Sequence, residues 1–291
     1  MRETELRQWI EELAEDQGEK ERQQIEQKER ERQVLKERRQ RWLETLRERF
    51  GKEGVEHDLL ETLLGFDKQF SEESEAEIEE QRDMLIEQGE DVDIPNETAA
   101  LLDGAMLQSI DSSAIDPYYV EIRGNDGGLE HSEYHPNSIN VRVNKQGRDE
   151  FFRTERRTVN WWFSFTPDET RNWDFRIAMP YRGFRLQRVE EGLSTVSRVD
   201  IDEEYRVHQY NPGPVEEVKR VGEWRSEANE FTRIDRVFSG HYTHVLGRGD
   251  QALLHVHQRF MAHAQGPGTR AELNFSTGVG NRLPAPYLHV H

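Results

Sequence analysis

Cysteine is absent from the 291 residues. That excludes a disulfide framework, a thiolate metal site and a thiol nucleophile. Long apolar runs are missing as well. No stretch approaches the ~18 consecutive apolar residues of a membrane span. The opening residues are charged, not basic and then apolar, so no signal peptide is expected. The chain is read as cytoplasmic or as part of an assembled particle. The G-x-x-x-x-G-K-[ST] phosphate loop and the G-x-S-x-G nucleophile turn are both lacking. No catalytic constellation is in view, so the sequence favours a non-enzymatic protein and leaves enzymatic activity open.

Apolar residues make up only 34% of the chain, against 33% charged. The shortage is uneven, because residues 117–291 hold most of the aromatics and can build a core. Basic residues are scarce in one place only. Residues 1–50 carry 14 acidic and 13 basic groups, residues 51–116 carry 20 and 3, and residues 117–291 carry 24 and 23. Nearly all of the net charge of −19 therefore sits in the middle stretch. Such a chain repels phosphate, so no nucleic-acid partner is expected. The acidic stretch reads as a solvated helical surface able to meet a basic partner.

Three parts follow. Residues 1–50 form a long charged helix, rich in Glu, Arg, Gln and Lys, with Gly18 as its one internal glycine. Its apolar residues gather at the ends, and between Ala14 and Gln33 Ile25 is the one large apolar residue. The spacing of Leu35, Trp42 and Leu46 fits a short coiled coil. Residues 51–116 form an acidic helical segment of three shorter helices. These run through Val55 to Leu64, from Ser74 to about Gln88, and from Asn96 to Met106. Asp111 to Pro117 marks the boundary.

Residues 117–291 change to a period of two. Val159, Trp161, Phe163 and Phe165 alternate with polar neighbours, as do Trp173 to Met179 and Ala252 to Phe260. About eight to ten antiparallel strands make a β-sandwich or jelly roll. The fold class is thus α+β in two parts: a long helix with shorter ones, partly coiled coil, then the sandwich.

Candidate site residues are few. His255 and His257 share a strand face, and with Gly249 they make the G-x5-H-x-H half of a cupin motif. A divalent metal is the cofactor that this spacing would take, and otherwise none is expected. The following carboxylate is missing, and alternation puts both histidines with Arg259 on the polar surface. His131, Glu133 and His135 would share a face if extended, but Gly127, Gly128 and Pro136 read as a polar loop. His241 and His244 point to opposite faces. Trp162 falls on the polar face of its strand, where an exposed ring can stack on a sugar or fill a partner's pocket. It can equally be covered by the N-terminal helices. Arg248-Gly249-Asp250 reads as a turn.

The run Val245 to Val256, followed by the strand Ala271 to Phe275 after a glycine-rich loop, resembles the closing strands of TNF/C1q-like jelly-roll heads. That resemblance covers about 30 residues. It implies a trimeric head on a stalk that binds proteins or glycans. The leading expectation is a structural or binding protein that self-associates through the helical region or the β head. A cupin-like metal-binding protein or enzyme using His255 and His257, and a carbohydrate-binding β-sandwich, are the alternatives.

Overall fold

A computed structural model describes residues 3–50, 113–147, 153–189, 195–209, 215–226, 230–249, 251–266, 268–276 and 282–290. Side chains from Trp42 to Phe50, and those of residues 215–226, lie outside that description. So do the three shorter helices expected between residues 51 and 116.

Helix α1 runs from Glu3 to Phe50 without a break, as its composition predicts. The strands are β1 (Ser113–Ile115), β2 (Tyr119–Arg123), β3 (Leu129–Tyr134), β4 (Ser138–Ile139), β5 (Val141–Gln146), β6 (Arg153–Phe165) and β7 (Arg171–Arg188). There follow β8 (Val196–Gln209), β9 (Val215–Ser226), β10 (Glu230–Leu246), β11 (Ala252–Gln265), β12 (Arg270–Phe275), β13 (Leu283–Pro284) and β14 (Tyr287–Val290). All described pairings are antiparallel. The α+β class with a β-sandwich C-terminal part is therefore correct. Strand β1 falls inside the stretch read as a boundary, where it pairs with β14.

One sheet has the order β3-β2-β6-β11-β8-β9. In the other, β7 takes β10 along one edge, while β12 and β14 share its other edge end to end. Strands β5 and β1 lie beyond these two. The sheets pack through the residues that alternation turned inward. Val120, Val159, Trp161, Phe163, Leu254 and Val256 meet Phe175, Ile177, Met179, Leu273 and Phe275 in one cluster. A polar network enters it. Tyr205 Oη donates to Glu203 at 2.9 Å, Tyr181 donates to the same carboxylate, and Trp161 Nε1 donates to Gln258 at 2.8 Å. Burial pushes the Tyr181 hydroxyl well above its usual 10, so it remains a donor.

The other face of the six-stranded sheet carries α1. Leu6, Ile10 and Ala14 recur at a spacing of four and pack on Tyr119, Trp162 and Leu253. Gln17 and Glu21 extend the same stripe and are also buried. The start of the apolar gap, from Ala14 to Glu21, is thus a change of chemistry along one buried stripe, made where the sheet beneath turns polar.

Candidate functional site

The sheet face under α1 is a grid fixed by strand register. Tyr119, Trp162, His255 and Arg206 form one row across β2, β6, β11 and β8. Glu121, Asn160, His257 and Glu204 form the next, then Arg123, Thr158, Arg259 and Asp202. Each strand contributes alternate residues, so a polar position in the sequence becomes a column in the grid.

The middle row is hydrogen-bonded from Glu121 to His257. Arg123 grips Glu121 through both carboxylate oxygens, at 2.8 and 3.0 Å, and donates to the Ala14 carbonyl of α1 at 2.8 Å. Asn160 Nδ2 donates to Glu121 at 2.8 Å, which leaves Asn160 Oδ1 as an acceptor. His255 Nε2 and His257 Nδ1 both donate to that oxygen, at 2.9 and 2.7 Å. His257 Nε2 then accepts from Arg259 at 3.2 Å. This chain of partners fixes the tautomers: His255 carries its proton on Nε2, and His257 on Nδ1.

Burial holds both histidines well below their usual 6.5, helped by the nearby Arg206 and, for His257, by Arg259 and Arg156. Burial also raises the Glu121 carboxyl, against the pull of Arg123. Glu21 of α1 approaches His257 at 3.7 Å and Arg156 at 3.9 Å.

One expectation changes here, and one open choice is decided. His255 and His257 do lie on the polar face, but both are fully buried because α1 covers that face. Trp162 is likewise 1% exposed, set among Leu6, Ile10 and Ala14, with its ring stacked on His255 at 4.0 Å and 3°. It is not an open platform while α1 is docked. The cupin-like metal pair meets a similar obstacle. The point on which the two imidazole nitrogens converge is occupied by Asn160 Oδ1, and among the described residues no group of three metal-ligating side chains forms.

The remaining candidates stand apart. His131 and Glu133 lie on β3, an exposed edge strand where a loop was expected, 3.6 Å from each other. His135 has already left the strand with a φ of 54° and packs against Tyr118, so the three do not converge. His241 pairs with Asp174 on the opposite sheet. Arg248 and Gly249 form the turn the tripeptide predicts, held by Pro167 and Thr170, with Gly249 at a φ of 79°. Asp250 lies outside the described residues.

Sequence reasoning missed Asn160, Glu121, Arg123 and Glu21. The signal for Asn160 was present: an amide inside the run Val159 to Phe163, where Asn is disfavoured unless it has a partner. Nothing in the sequence places Glu21 over β11, since that depends on where α1 lies.

The face opens at a cavity of about 280 Å³ between α1 and the sheet, bounded by Leu13, Gln17 and Gln24 and by Trp162, His208 and His255. A second, more open groove near Asn140 and Asn144 is walled by Arg142 and Arg157. Those two arginines are already paired with Glu272 and Glu130.

No family model matches the chain, so the TNF/C1q-like resemblance of its closing strands rests on those residues alone. No curated protein matches it either. Among solved structures, the chain is similar to TmCBM61 in complex with β-1,4-galactotriose, at 8% identity over 62% of this chain and 88% of that one, with a TM-score of 0.23. It is similar to the stem and receptor binding domain of the spike protein P1 from bacteriophage PM2, at 8% identity over 56% and 86%, with a TM-score of 0.19. It is also similar to a β-glucosidase from Kluyveromyces marxianus in complex with glucose, at 10% identity and a TM-score of 0.20. That match covers 54% of this chain and only 15% of the glucosidase. At such TM-scores these likenesses carry no argument about what the chain does.

Proposed function

We propose that the protein is a non-catalytic binding and assembly component, a β-sandwich head on a helical arm through which copies of the chain associate. The observation that carries this reading is the division of α1 into an anchored and a projecting stretch. From Leu6 to Glu21 one stripe is buried against the sheet. From Glu26 to Arg41 every described side chain is exposed, including Val34 at 47% and Leu35 at 61%. Adjacent exposed apolar residues on a projecting helix are a contact in search of a partner.

Charge divides at the same place. The first 21 residues hold eight acidic and three basic groups, while Arg22 to Phe50 hold six acidic and ten basic. A second copy offers the same apolar pair and, in residues 51–116, the complementary charge. Glu121, Asn160 and His257 support a binding role over a catalytic one, because their hydrogen bonds run to each other and to neighbours on the same face. A setting in a particle or surface assembly agrees with this layout, by analogy of architecture.

Sedimentation equilibrium of the full chain at micromolar concentration tests the reading. An oligomer is expected, and Val34→Asp with Leu35→Asp should shift it towards monomer. A wild-type monomer would overturn it.

A further inference from the structure

The cavity between α1 and the sheet has a character that points to one class of ligand. Its sheet wall is aromatic. Trp162 and His255 lie parallel at 4.0 Å, with His208 tilted against them at 5.4 and 5.8 Å. Its charges cancel in pairs. Lys20 is bound to Asp16 at 2.6 Å, and Arg206 is bound to Glu204 and to Gln17. An anion or a cation would have to break one of these pairs, so a neutral occupant fits best.

Two rings of the wall each carry a buried polar atom with no protein partner, Trp162 Nε1 and His255 Nδ1. An indole nitrogen can only donate. His255 Nδ1 can only accept, because the ring proton is committed to Asn160 through Nε2. A donor and an acceptor on two stacked rings are complementary to hydroxyl groups, which both accept and donate. Ring carbons beside them suit the apolar face of a sugar. The volume of about 280 Å³ falls just under the ~300–1,000 Å³ of pockets for drug-sized molecules. It admits one ring and not a chain of them.

We propose that this cavity binds a single neutral sugar ring, either free or at the end of a glycan, with hydroxyls serving Trp162 Nε1 and His255 Nδ1. Both atoms are closed off from solvent and from the cavity as it stands, so a hydroxyl reaches them only when side chains around the two rings shift. Occupancy then tightens α1 on the sheet. The proposal deepens the binding-protein reading, and because it leaves the assembly state untouched, sedimentation and sugar binding fail independently.

The test uses the full chain and saturation-transfer NMR with glucose, galactose, mannose and N-acetylglucosamine up to ~50 mM. A panel of immobilised glycans ending in the same sugars runs beside it. At least one sugar should bind with a Kd on the order of 1 mM and raise the Tm. Trp162→Phe keeps the ring and removes the N–H, and should weaken binding about tenfold. Gln24→Ala alters the exposed rim, so it keeps the fold intact, and it should weaken binding too. Binding of the free sugars identifies a monosaccharide site, and binding of immobilised glycans alone identifies a glycan-end site. Either supports the proposal. No binding in either format overturns it, as does binding unchanged in both variants.

Discussion

Asn160 is the residue on which the covered face turns. Its amide faces a carboxylate on one side and two imidazoles on the other, and this arrangement fixes both histidines as neutral donors. Burial first, then neighbouring positive charge, keeps their folded pKa values well below 6.5. The unfolded chain takes up protons as pH falls through 6.5, and the folded chain does not. The two histidines therefore stabilise the fold at neutral pH, and that contribution is lost as pH falls from 6.5 towards their folded values. Glu121, raised by burial, acts in the opposite sense. Its contribution is present below its usual 4.5 and is lost as pH rises through its folded value. Thermal unfolding should show a Tm that falls from pH ~7 to ~5, with a shallower slope in the double variant His255→Gln, His257→Gln. An unchanged slope would mean that these rings are not the source of the acid sensitivity.

At the scale of elements, α1 is held by a stripe that changes character as it crosses the sheet. Gly18 shows how closely it lies. A Cβ there would come within 1.9 Å of the Arg123 guanidinium. That group cannot swing aside, because Glu121 and the carbonyls of Ala14 and Gly127 hold it. Alanine is the better helix former by ~1 kcal/mol, yet forcing atoms into a filled contact costs ~1–3 kcal/mol. Gly18→Ala should lower the Tm, and a rise would show that the helix does not sit on Arg123. The helix itself and the strands were legible in the sequence, because a period of two in Val159 to Phe165 and an unbroken run of helix formers leave little choice. The covering of the sheet was not. Gln17 and Glu21 are as buried as Leu6, and polarity alone assigned them to solvent. The surface placement expected for His255 and His257 failed for the same reason, and on Trp162 the sequence left open a choice that the docking of α1 decides. Alternation identifies the face a side chain takes, but not what lies on that face.

The described residues make an anchored arm and a sandwich whose polar face is closed by that arm. Among the described residues no helix is long and apolar enough to cross a membrane. The assembly reading, the sugar site and the acid sensitivity all require that the first turns of α1 lie on β6 and β11 in solution. NMR titration of His255 and His257 in the full chain reads this at the residues concerned. In the wild type neither ring should titrate near 6.5, whereas Ile10→Asp, which puts a charge into the apolar part of the contact, should return both to that value. If both rings of the wild type already titrate near 6.5, the face is open to water and α1 does not cover it.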